Sequence, residues 1–126
     1  MYFVNMCCCF HAAVDVWSVG VIFLSLLSSK YPFFRASDDM SALAEIVSLL
    51  GTKKLQQAAT QLGKRLTISE NKPTLDLRVL CQRLRRPSNG WSDIPDSAYD
   101  LLGKLLDPNP FLRTTAKEAL GHPYFA

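Results

Sequence analysis

From Val14 to Ser29 the chain has almost no polar face. Val16, Trp17, Val19, Val21, Ile22, Phe23, Leu24, Leu26 and Leu27 fall on every side of a helical period. A helix that is apolar all round is stable in water only when other elements cover it, so this segment is expected at the centre of the fold. Its apolar run, Val16 to Leu27, covers 12 residues, short of the ~20 that a membrane crossing needs. Asp15 and Trp17 at its start also suit a core helix. Met1 to Ala13 lacks the positive leading region of a secretory signal, and Asn5 interrupts its apolar run. The expectation is a soluble, intracellular chain with no membrane partner.

Four further segments repeat the amphipathic helical spacing i, i+3, i+4, i+7. Leu43, Ile46, Val47 and Leu50 form the first, after a cap at Ser37 or Asp38 and before a stop at Gly51. Leu55, Ala58, Ala59 and Leu62 form the second, closed by Gly63. Leu77, Leu80, Cys81 and Leu84 form the third, ending at the Pro87-Ser88-Asn89-Gly90 turn. Ala98, Leu101, Leu102 and Leu105 form the fourth, which Asp107-Pro108 terminates. A short last helix opens on Thr115-Ala116-Lys117-Glu118 with capping-box spacing and ends at Gly121, with Pro123 beyond. Arg65 to Ser69 is the one candidate strand and is too short to count, and Ser69 to Pro73 reads as a loop. The predicted fold is mainly α, with helices near 38–50, 54–62, 75–85 and 97–106 packed around Val16–Leu27, enclosing Phe23 and Leu26.

Charge and residue counts narrow the chemistry. Fourteen Lys and Arg against eleven Asp and Glu leave a net charge of +3, and a pI of about 8.7 falls short of the basic stripe of a nucleic-acid binder. The densest basic run, Arg83-Leu84-Arg85-Arg86, reads as a solvated helix end. None of the six glycines lies close to another in sequence, so no loop can cradle phosphates with successive backbone N–H groups. Cys7, Cys8, Cys9 and Cys81 have neither disulfide-framework nor zinc-site spacing, even with His11 beside the triplet, and read as free thiols in a reducing compartment. Ser37, Asp38 and Asp39 offer an acidic edge for a partner, although helix capping accounts for them more simply.

Two motifs carry a family resemblance. Asp15-Val16-Trp17-Ser18-Val19-Gly20-Val21-Ile22 resembles the D-x-W-S-x-G-V-I signature opening the central helix of the large lobe in eukaryotic protein kinases, and Tyr31-Pro32-Phe33 follows where that family has its P-F pair. Leu106-Asp107-Pro108-Asn109-Pro110, Arg113, Thr115-Ala116 and His122-Pro123-Tyr124-Phe125 resemble the kinase C-terminal block. The segments Gly20–Ser28, Ala36–Met40 and Gly90–Leu102 are similar to the cell-division-cycle-seven serine/threonine kinases, without the long insert that those kinases often carry before the Gly-Trp pair. The resemblance spans residues 13–126, a partial kinase domain; residues 1–12 do not match it.

The resemblance implies the C-terminal portion of the kinase large lobe, an incomplete domain. No H-R-D, D-F-G or Gly-rich loop occurs in the sequence, so no catalytic, cofactor-binding or metal-binding residue is assigned; ATP and Mg²⁺ belong to the complete parent kinase. Three residues are implied in structural support: Asp15, as the buried aspartate that accepts bonds from the catalytic-loop backbone; Trp17, in core packing; and Arg113, as partner of the A-P-E glutamate. A simple helix N-cap for Asp15 and a surface arginine for Arg113 are the plainer readings. In this chain both are expected to lack their family partners, and His122 is expected to help close the last helix. Implied partners are the remainder of the kinase domain, the activating regulatory subunit and protein substrates, with no direct nucleic acid, in the nucleus. A truncated product acting as a non-catalytic interaction module is the competing reading, and an incomplete gene model is the third.

Overall fold

Short-range chemistry sets most of the helix ends. The computed structural model describes residues 2–85 and 93–126, with side chains from His11 onward. Among these are six α-helices and no strand: α1 Tyr2–Ser28, α2 Asp39–Leu50, α3 Thr52–Gln61, α4 Leu77–Leu84, α5 Asp96–Leu105 and α6 Ala116–Leu120, followed by a 3-10 turn, Pro123–Phe125. Asp38 caps α2, its carboxylate accepting from the Ser41 N–H at 2.9 Å; this bond holds the Asp38 carboxyl below its ordinary pKa. Asp76 caps α4 through Arg78 and Val79. Thr115 and Glu118 form the capping box of α6. α3 ends in a Schellman turn, Lys64 N–H bonding Ala59 O and Gly63 N–H bonding Thr60 O. The Pro87–Gly90 turn, with Trp91, lies outside the described residues.

α1 differs from its expected form. It begins at Tyr2 rather than Val14, because no proline or glycine between them stops helical propagation. One apolar window within it, His11–Ser28, has the length and composition to cross a membrane, which the 12-residue run did not. That helix is nevertheless a structural member of the core. Leu24 and Leu27 of α1 meet Leu49 and Leu50 of α2, Cys81 of α4, and Tyr99 and Leu102 of α5, with Leu106 beyond. α1 packs chiefly along α4 and α5, while α2 packs on α3. At Gly20 a Cβ would lie 2.8 Å from the Leu106 Cδ2 and 3.0 Å from the Leu105 Cβ, so the missing side chain sets the α1–α5 approach.

The encirclement of α1 is incomplete. Phe23 is half-buried, its ring centroid 5.6 Å from that of Tyr124, but Leu26 is 64% exposed. The expectation that every face would be covered fails for a geometric reason: α4 and α5 line one side, and α2 reaches α1 mainly through its C-terminal leucines.

The C-terminus is tied back by His122, which is buried. Its Nδ1 accepts from the Tyr124 N–H at 3.1 Å, closing the final turn, so Nε2 carries the proton and donates to Asp100 Oδ2 at 2.6 Å. Lys104 Nζ reaches the same oxygen at 3.0 Å. The His122 bond first, and Lys104 second, hold the Asp100 carboxyl below its ordinary range. A carboxylate with a lowered folded pKa stabilises the fold above its unfolded value of ~3.9 and loses that contribution as pH falls through the folded value. Asp100→Asn should therefore lower the urea midpoint at neutral pH, and the gap to the parent chain should narrow towards pH ~3. A gap independent of pH would remove the charge from this account.

Candidate functional site

The face of α1 left uncovered is regular. Asp15, Val19, Ile22 and Leu26 recur at i, i+4, i+7 and i+11, which places them along one side of the helix. Val19, Ile22 and Leu26 are each more than half exposed, whereas Gly20, Leu24 and Leu27 on the other side are buried. The same face continues at its C-terminal end into a mostly apolar hollow between Ile22, Leu26, Tyr31 and Phe34.

At the other end of this face lies a groove of about 630 Å³ between α1 and the C-terminal segment. Ala12, Ala13, Val16 and Val19 form one wall, Pro110, Phe111, Ala119 and Leu120 the other, with Asp15 and Arg113 among the lining residues. The turn after α5 positions Arg113. Asp107 Oδ1 accepts from the Asn109 N–H and Asn109 Oδ1 from the Phe111 N–H, each at 2.9 Å. Asn109, itself buried, also donates through Nδ2 to Gln61 at the end of α3. Arg113 Nε then donates to Asp107 O at 2.9 Å, and its Nη1 to Ala13 O at 2.6 Å. Its guanidinium lies 5.1 Å from the Trp17 ring centroid, a cation–π contact. Burial lowers the pKa of Arg113, opposed by the charge of Asp107.

These positions give three of the expected residues their surroundings. Asp15 lies well inside α1 and is exposed, so it is not an N-cap, and it makes no hydrogen bond to a described side chain or loop. Arg113 is not without partners, because backbone carbonyls take its donors. Trp17 is half-buried and packs against the core. Asn109 and Gly20 were given no role from the sequence, although the Asp-Pro-Asn-Pro turn marked Asn109 and the glycine of the D-x-W-S-x-G signature marked Gly20.

The groove does not fit a magnesium nucleotide. Among the described residues no group of three or more His, Cys, Asp or Glu side chains could hold a metal, Asp15 is the one carboxylate in the lining, and no successive glycines line it. Cys81, buried in the core, has its thiol pushed up to about 11 by burial, so it is unsuited to act as a nucleophile. The chemistry on offer is apolar contact flanked by one carboxylate and one guanidinium.

Comparison with known proteins places this geometry. The family model described as Protein kinase domain matches residues 7–125. A Dictyostelium discoideum protein named "Probable serine/threonine-protein kinase cdc7" is 51% identical over 113 residues, covering 89% of this chain and 11% of that protein. The human "Cell division cycle 7-related protein kinase" is 37% identical over 176 residues, covering 90% of this chain and 31% of that protein. Because that alignment is longer than this chain, the human protein carries extra residues within the aligned stretch. The Encephalitozoon cuniculi "Probable cell division control protein 7 homolog 1" is 39% identical over 113 residues, covering 90% of this chain and 32% of that protein. The chain thus spans a third or less of the length of these relatives. An all-helical arrangement built on the D-x-W-S-x-G helix and ending in the His-Pro-Tyr-Phe block completes the assignment: the chain belongs to the protein kinase domain family, as the C-terminal part of its large lobe.

Proposed function

We propose that this chain is the non-catalytic helical base of a serine/threonine protein kinase, active only together with the regions bearing the H-R-D, D-F-G and A-P-E motifs. The parent enzyme transfers the γ-phosphate of ATP, with Mg²⁺, to protein hydroxyls in the nucleus, at the start of DNA replication, under an activating regulatory subunit. The observation that carries the reading is the uncovered face of α1, where Val19, Ile22 and Leu26 stand exposed in one row. Burying a Val, Ile or Leu side chain fully is worth ~1.5–3 kcal/mol, so a helix laid along this row gains a few kcal/mol towards joining the two parts. Left open, the row favours self-association of the isolated chain.

The isolated chain should give no heat on calorimetric titration with Mg-ATP and transfer no phosphate to a Ser/Thr-rich protein. Positioning and charge neutralisation are the main sources of kinase rate, and this sequence has no residues to supply them. Micromolar ATP binding or turnover by the purified chain would overturn the proposal. Co-expression with the preceding part of a related kinase domain should yield a complex that Ile22→Glu with Leu26→Glu disrupts. Capture of a regulatory subunit instead, with no complex to that kinase part, would favour the interaction-module reading.

A further inference from the structure

Away from α1, one surface differs from the rest in charge. α3 opens on Lys53 and Lys54, and the turn after it carries Lys64 and Arg65, all four exposed. α3 contains no acidic residue, and among the described residues no ion pair involves any of the four. The acid nearest in sequence, Glu70, lies 3.7 Å from Lys72 instead. These four charges exceed the net charge of the whole chain, +3, so positive and negative charges nearly balance over the rest of the sequence.

Helix stability does not account for this placement. Cations in the first turn oppose the helix dipole, and α3 has neither an acid there nor a base in its last turn. The frame that holds them is fixed at both ends. Thr52 Oγ1 donates to Glu70 O and accepts from the Lys72 N–H, each at 2.9 Å. The Schellman turn locks Lys64 to Ala59 at 2.8 Å, and Gln56 ties the helix to Leu66 O. Two pairs of unpaired cations are therefore presented from a rigid edge.

We infer that this α3 edge docks an extended acidic segment of a partner protein. From Lys53 to Lys64 the edge measures on the order of 15 Å at ~1.5 Å per residue, matching about five residues of extended chain at ~3.3 Å each. Exposed Gln57 and Thr60 lie between the two cation pairs and offer neutral hydrogen-bonding groups to the segment's backbone. A nucleic-acid strand fits less well. Residues 51–72 contain no Phe, Tyr or Trp on which bases could stack, and stacking supplies much of single-strand affinity. The edge lies outside the α1 face, so docking here does not depend on that face being covered.

The test is fluorescence anisotropy of a labelled hexaglutamate peptide against the full chain at about 20 mM salt, where screening is weak. Hexaglutamine and an oligothymidylate of equal charge serve as comparison probes. Hexaglutamate should bind and hexaglutamine should not. Lys53→Gln with Lys54→Gln, or Lys64→Gln with Arg65→Gln, should each weaken binding, and the fourfold variant should weaken it roughly tenfold or more. Lys117→Gln on α6 should leave it unchanged. As a check that does not rest on loss alone, Lys53→Glu with Lys54→Glu should gain binding to hexalysine. Equal hexaglutamate affinity in the fourfold variant and the parent chain would overturn the inference. So would absence of binding at low salt, or an oligothymidylate that binds more tightly through the same four residues.

Discussion

Leu24→Ala should cost about 2–5 kcal/mol of folding stability, while Leu26→Ala, two positions on in the same helix, should change it by less than ~0.5 kcal/mol. Leu24 is fully enclosed and Leu26 is 64% exposed. Around Leu24 lie leucines of α2, Cys81 of α4, and Tyr99 and Leu102 of α5. Truncation there removes both transfer energy and packing, and four helices cannot all shift to fill the space. Against a total of ~5–15 kcal/mol for a domain, that loss is a large share. Urea unfolding measures both variants, with the midpoint falling by about 1 M or more for Leu24→Ala at an unchanged slope. Comparable losses at the two sites would mean that α1 does not present the face described.

Leu24 and Leu26 also mark the limit of what could be read from the residues alone. Both sit in a run without a polar face, and periodicity cannot rank two apolar sides of one helix. Which side is covered depends on how much surface α4 and α5 can reach, and only the tertiary arrangement states that. Local chemistry fared better. Asp38, the Thr115–Glu118 box and Gly63 end their helices by bonds spanning five residues or fewer, so composition and spacing suffice to find them. The start of α1 was missed for the converse reason: the boundary expected at Val14 rested on where the apolar density and the resemblance began, while the preceding residues contain nothing that breaks a helix.

For the candidate site, the residue identities were legible and their surroundings were not. Asp15 and Arg113 line one groove midway along α1, and Arg113 stacks on Trp17, a grouping that neither motif by itself announced. That Arg113 would satisfy itself on Ala13 O and Asp107 O was not visible, because backbone acceptors leave no trace in a residue pattern. A guanidinium with these local partners keeps its place beside Trp17 whether or not an acid from elsewhere is present. The groove is accordingly a preformed surface.

Gly51→Ala should be the most damaging glycine-to-alanine change among the described residues, at about 2–5 kcal/mol, and Gly63→Ala should cost only ~1–2 kcal/mol. Gly51 ends α2 and begins α3 at φ 90° and ψ 152°, a region that is essentially glycine's alone. Its N–H bonds Val47 O at 2.8 Å. A Cβ there would fall 2.7 Å from Thr74 N and 2.9 Å from the Pro73 carbonyl carbon. Those atoms are backbone, and they are pinned: Thr74 Oγ1 donates to Leu50 O at 2.7 Å, Leu75 N–H to Leu49 O at 3.2 Å, and Thr52 N–H to Lys72 O at 2.9 Å. The 70–75 loop therefore cannot retreat without breaking the bonds that join it to the α2–α3 corner. Gly63, at φ 73°, has nothing within 4 Å of the equivalent point, so there alanine meets backbone strain alone. Alanine also narrows the unfolded ensemble by ~0.4–1 kcal/mol at either position, an offset that cancels in the comparison. Thermal or urea melts of the two variants isolate the steric part. If the two melted together, the loop would not be seated on the helix junction, and the rigid frame assigned to the α3 edge would fall with it.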